Sequence, residues 1–75
     1  MIEKVIELLE DIIPDFDREN EALVDSGEMT SLSVLQLIAA IDDELDVQIP
    51  PSDIRPENFN SVRSIAAVIE KNMEE

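Results

Sequence analysis

The chain contains no cysteine and no histidine. The first absence rules out disulfide bridges, and together they remove the ordinary ligands of transition metals. Aromatic residues make up only 3% of the sequence, so the core must be built from Ile, Leu and Val. Basic residues are scarce too: five Lys and Arg stand against nineteen Asp and Glu, a formal net charge of −14. Binding to nucleic acid or anionic lipid depends on neutralising phosphate, so neither is expected as a partner. No segment approaches the roughly 20 apolar residues that cross a bilayer. The opening Met1-Ile2-Glu3-Lys4-Val5 lacks a basic stretch and an uninterrupted apolar run. No signal peptide is therefore expected, and the cytoplasm is the default location.

Chemistry is sparse as well. There is no Gly-rich phosphate loop and no nucleophile-elbow pattern. Carboxylates are so numerous that pairs arise by chance, and none is singled out as a general acid. Asp15-Phe16-Asp17-Arg18-Glu19-Asn20 loosely suggests the start of a calcium loop. The required glycine would fall at Asn20 and the closing Glu at Ser26, so no metal site is expected. The chain reads as a non-enzyme.

What is present is helical periodicity. Seventy-five residues make one small domain, which can bury only about 60% of its unfolded surface. In a first helix, about 2–13, Ile2, Val5, Ile6, Leu9 and Ile13 share one stripe, and Pro14 ends it. A long acidic loop follows from Asp15 to Met29, pinned to the core by Phe16, Leu23 and Val24. A second helix is predicted over 31–45, capped by Thr30 or Ser31. Val47 and Ile49 should then point inward. A short helix fits at about 52–55, because Pro56 disfavours the helical region for Arg55. The last helix, about 61–73 and capped by Asn60 or Ser61, places Val62, Ile65, Ala66, Ile69 and Met73 on one stripe. No strand pattern and no internal repeat is visible. The predicted fold is an all-α bundle of three main helices plus one short one.

The second helix has one apolar face too many. At 100° per residue, Val34, Leu37, Ile38, Ile41 and Leu45 form the core face. Leu32, Leu35 and Ala39 lie away from it, beside Ser31, Gln36, Asp42 and Asp43. These residues either cover the long loop or form an exposed apolar patch rimmed by acids. The second arrangement fits a partner with an apolar groove edged by Lys and Arg.

The segment from Thr30-Ser31-Leu32 through Asp42-Asp43-Glu44-Leu45 to Ile49-Pro50 resembles the acyl carrier protein family. There an Asp-Ser-Leu motif opens the second helix, and Ile-Pro follows at this spacing. The run Arg55-Pro56-Glu57-Asn58-Phe59-Asn60-Ser61-Val62 is similar to freestanding bacterial carriers. The resemblance implies 4′-phosphopantetheine attached to Ser31, with Thr30 and Leu32 flanking it, installed by a transferase that needs Mg²⁺ only during transfer. It also implies an acyl thioester held on the arm, in fatty-acid, polyketide or related biosynthesis. D-alanyl or peptidyl cargo, or an unmodified acidic interaction module of the same fold, are the alternatives. The implied partners are the transferase and acyl-ligase or synthase enzymes with basic patches, meeting Leu32, Leu35, Gln36, Ala39, Asp42 and Asp43. A monomer is expected. Two departures stand out: Thr30 replaces the family's Asp, and Gln36 replaces a usual acid. Asp25-Ser26 is the competing alignment, with Gly27 following and the serine inside the loop.

Like charges at this density repel one another and oppose compaction. Adding 0.1 M salt, which shortens the screening length to about 10 Å, or millimolar Mg²⁺ is expected to raise the melting temperature. Each kcal/mol gained would appear as about 4–8 °C in thermal unfolding. An unchanged or lowered midpoint would contradict the repulsion argument.

Overall fold

Pro14, Thr30 and Asp46 mark where the chain leaves its first long helix, enters its second and leaves that in turn. In the computed structural model, which describes residues 1–73, α1 spans Ile2–Ile12 and α2 spans Ser31–Leu45. A 3₁₀ turn at Pro51–Asp53 and a four-residue α3 at Pro56–Phe59 precede α4 at Val62–Met73. There is no strand among the described residues. The fold is all-α.

The short helix is displaced from its predicted place at 52–55. Arg55 is extended (φ −130°, ψ 149°), as a residue before proline should be. Proline itself, however, is pre-set for the first helical position, where a missing N–H costs nothing. Pro56 therefore starts α3 instead of only ending what precedes it. The boundary of α4 is decided by Ser61, whose Oγ accepts the Ser64 N–H at 3.0 Å, and not by Asn60.

Packing follows the periodicity closely. Helix α1 lies against both α2 and α4, and α3 lies against α4. Val5, Leu8 and Leu9 from α1 meet Leu37 and Ile41 from α2 and Val62, Ile65, Ala66, Val68 and Ile69 from α4. Val47 and Ile49 are buried between them. Ile2 and Met73, both assigned to core stripes, are 43% and 50% exposed. Each sits in the terminal turn of its helix.

The long loop is fastened rather than free. Leu23 and Met29 are fully buried, with Phe16 and Val24 packed at the edge. The Leu23 N–H donates to the Asn60 carbonyl at 2.8 Å, and the Met29 N–H donates to the Leu23 carbonyl at 2.8 Å. The Asn60 side-chain oxygen accepts the N–H groups of Val24 and Asp25, and its amide nitrogen donates to Asp25 Oδ2. One side chain between α3 and α4 thus satisfies backbone groups that a buried loop would otherwise leave unpaired. Gly27, at φ +88°, makes the left-handed turn that glycine takes without strain.

Asp53 is the buried charge of the fold. Its carboxylate accepts from Lys71 Nζ at 3.0 Å and Asn72 Nδ2 at 3.2 Å, tying the 3₁₀ turn to the end of α4. Those bonds, Asn72 first and then Lys71, hold its carboxyl below the ordinary value of 3.8, against the opposing effect of burial. A lowered folded-state pKa gives stability that is complete above the unfolded value and is lost as pH falls through the folded one. Asp53→Asn is therefore expected to be less stable than the native chain at pH 7, with the gap closing as the pH is taken below 3.8. Denaturant midpoints of both proteins across pH check this, and a gap independent of pH would refute it.

Candidate functional site

Helix α2 begins at a polar, uncharged corner of a strongly acidic molecule. Thr30, extended at φ −89° and ψ 174°, is its N-cap: Thr30 Oγ1 accepts the Ser33 N–H at 3.2 Å. The two hydroxyls of Thr30 and Ser33 also lie 3.2 Å apart. Ser31 is thus the first residue of the helix proper, and its side chain is exposed. No acidic residue occupies the first turn, and residues 29–41 carry no charged side chain at all. Free N–H groups and the positive end of the helix dipole make such a terminus favourable for phosphate.

Beside Ser31 lies an open cleft of about 240 Å³ between the long loop, α2 and the 54–59 segment. Its walls are Val24, Val34, Leu35, Ile54, Pro56 and Phe59. Ser31 and Arg55 are its polar members. An apolar cleft with a few polar groups at its rim can shelter a small aliphatic group while keeping one end in water.

The second predicted feature is the outer face of α2. Leu32 is 64% and Leu35 59% exposed, and Gln36, Ala39, Asp42 and Asp43 are exposed beside them. The structure therefore brings all six onto one accessible stripe that starts at Ser31. Leu35 also reaches the cleft edge opposite Val24, so it partly covers the loop while remaining open to solvent. Asp42 and Asp43 take part in none of the ion pairs among the described residues. The neighbouring Glu44 does pair, with Lys4 of α1 at 3.3 Å. The unpaired acids lie outward and the paired one ties the bundle together. At its end α2 turns through Asp46 in the left-handed conformation (φ 57°), whose N–H donates to the Asp42 carbonyl.

Ser26, the competing serine, sits in the loop with its hydroxyl engaged: it accepts from Asn20 Nδ2 at 3.0 Å and reaches the Leu23 carbonyl at 3.4 Å. Among the described residues no group of three or more acids could hold a metal ion, and no helix is long and apolar enough to cross a membrane.

Comparison with known proteins bears directly on this geometry. The family model described as the phosphopantetheine attachment site matches residues 2–69. The chain belongs to this family of carrier proteins. Aminoacyl carrier protein 1 of Bradyrhizobium diazoefficiens is 40% identical over 47 residues, covering 63% of this chain and 51% of the relative. The chain thus matches about half the length of that relative. No solved structure gives a significant match. Membership implies a covalently attached phosphopantetheine and dealings with the enzymes that load and unload it.

The site suits such a group on its own evidence. An exposed hydroxyl at a helix start, next to an apolar cleft and remote from other carboxylates of α2, offers both reach and a favourable place for a phosphodiester. Sequence reasoning missed Arg55, Ile54 and Phe59 as members of this corner. The only signal available was the rarity of basic residues, which makes the position of each one informative.

Proposed function

We propose that Ser31 is the attachment point of the phosphopantetheine arm and that the protein presents an acyl group to successive enzymes without catalysing a reaction itself. The observation that carries this is the exposed Ser31 hydroxyl at the first turn of α2, opening onto an apolar cleft within the matched segment. When attached, the arm supplies the thiol that holds the cargo as a thioester. The chain's own contribution is otherwise positional. Helix α2 offers the hydroxyl and favours the phosphate, and the cleft gives aliphatic cargo a dry wall. The stripe of Leu32, Leu35, Gln36, Ala39, Asp42 and Asp43 meets partner enzymes whose basic patches complement the acids. Loading draws on coenzyme A, with Mg²⁺ acting only in the transfer. Fatty-acid, polyketide or related biosynthesis in the cytoplasm, as a monomer, is the setting we infer.

A second reading concerns the cargo alone. The relative is named as an aminoacyl carrier, which favours an amino acid, with D-alanine among the candidates. Incubating loaded protein and ATP with acyl and aminoacyl ligases, and reading intact mass, distinguishes the two cargoes.

Two outcomes are expected. Exposure to coenzyme A, Mg²⁺ and a broad-specificity transferase should add the mass of one phosphopantetheine to the native chain and to Ser26→Ala, and nothing to Ser31→Ala. Absence of any gain with several transferases would leave an unmodified interaction module. Separately, Asp42→Lys combined with Asp43→Lys should weaken transferase association by at least about tenfold at low salt, with the helical circular dichroism spectrum intact. Unchanged binding would move the recognition face elsewhere.

A further inference from the structure

The five basic residues of this chain are not scattered at random with respect to its acids. Lys4, Arg18 and Lys71 pair with Glu44, Glu10 and Asp53, and Arg63, in the first turn of α4, makes no ion pair among the described residues and does not line the cleft beside Ser31. Arg55 differs in place. It is the basic residue lining the cleft that Ser31 also lines. Its backbone is fixed on both sides: the Arg55 N–H donates to the Asp53 carbonyl at 3.0 Å, and the Arg55 carbonyl accepts the Asn58 N–H at 2.9 Å. Its Nε donates to the Ser52 carbonyl at 3.2 Å, which steadies the side chain at its neck. Nη1 reaches Glu57 Oε2 at only 3.5 Å, in a pair whose members are 63% and 68% exposed. An exposed pair of that kind contributes little and is easily exchanged. Nη2 has no acceptor among the described residues.

We propose that Arg55 holds the phosphate joined to Ser31, fixing the root of the arm at the mouth of the cleft. This rests on the loading of Ser31 inferred above. The guanidinium fork matches a phosphodiester's two free oxygens, and charge-assisted bonds of this type are stronger and more directional than a lysine contact. The surroundings favour it twice over. Opposite Arg55, the first turn of α2 contains no acid, and Thr30 caps that turn through a neutral hydroxyl. A carboxylate in the place of Thr30 would stand next to the phosphate and repel it. In a molecule of net charge −14, an added anion at this corner would meet a basic side chain and a helix start together, beside an apolar cleft. Ile54, Pro56 and Phe59 form the apolar wall next to this corner and would be open to the arm.

The proposal is read by NMR on apo protein and on protein shown by intact mass to be fully loaded. The Arg55 Nε–Hε cross-peak is expected to move on loading, while those of Arg18 and Arg63 stay in place. In loaded Arg55→Gln the ³¹P transverse relaxation of the phosphodiester is expected to slow, reporting a freer phosphate, with Arg55→Lys intermediate. An Arg55 cross-peak that does not move in fully loaded native protein overturns the proposal, whether or not the variants fold. So does ³¹P relaxation that is equal in native and Arg55→Gln proteins. Failure to gain mass at Ser31 removes the loading itself and this contact with it. Complete loading with Arg55 unresponsive removes the contact alone.

Discussion

Aliphatic burial has to hold this molecule together against its own charge. With a net charge of −14 on 75 residues, electrostatic repulsion favours expansion, and neither a disulfide nor a thiol or imidazole metal site is available as a brace. Fifteen apolar side chains are buried among the described residues, all but Ala66 of the larger kinds that contribute about 1.5–3 kcal/mol each relative to exposure. Where polar groups enter the interior they are fully employed. Asp53 is bound by Lys71 and Asn72, and no buried side-chain polar atom lacks a partner among the described residues. That discipline explains the loop. A segment of fifteen residues, from Asp15 to Met29, would be an entropic burden on so small a core. Leu23 and Met29 convert it into part of that core; Asn60 accepts the N–H groups of Leu23, Val24 and Asp25, and the Leu23 carbonyl accepts that of Met29.

Such economy also makes the exceptions meaningful. A small domain that needs its apolar residues inside nevertheless leaves Leu32 and Leu35 largely exposed on α2. Turning them inward is impossible, because Leu37 and Ile41 already occupy the core face. Their outward parts contribute nothing to the core. The proposed contact with partner enzymes accounts for this stripe, and Asp42 and Asp43 at its lower end, in none of the ion pairs among the described residues, would give that contact a sign.

The helices and their inward faces were legible because periodicity of 3.6 residues is a strong signal in sequences where nearly every apolar residue is aliphatic. Val5, Leu9, Leu37, Ile41, Ile65 and Ile69 all fall where it puts them. The surplus face of α2 was legible for the same reason. Less so was anything governed by a single residue's backbone preference. Pro56 carries two messages, excluding Arg55 from a helix and starting one itself, and only the first was read. Leu8, next to the predicted stripe of α1, is buried because α1 is covered from two sides, by α2 and α4, and so needs a wider apolar face than one neighbour would. The cleft was illegible altogether: its walls come from three segments, and their meeting depends on the Asn60 clip, for which no local pattern speaks.

Thr30 acquires a different meaning once the corner is seen whole. In sequence it is a departure, a neutral residue where the family has an acid. In the structure it preserves what the acid would do for the helix, accepting the Ser33 N–H at 3.2 Å, while withholding a negative charge from the neighbourhood of Ser31. For a phosphate joined to Ser31, as proposed above, the neutral Thr30 would repel less than the family's acid. Arg55, on the far wall, acts in the same direction. The surroundings of Ser31 thus carry less negative charge than the rest of a molecule of net charge −14. On the reading proposed above, attraction of basic enzymes along α2 and retention of an anion at its start would be separated along one helix.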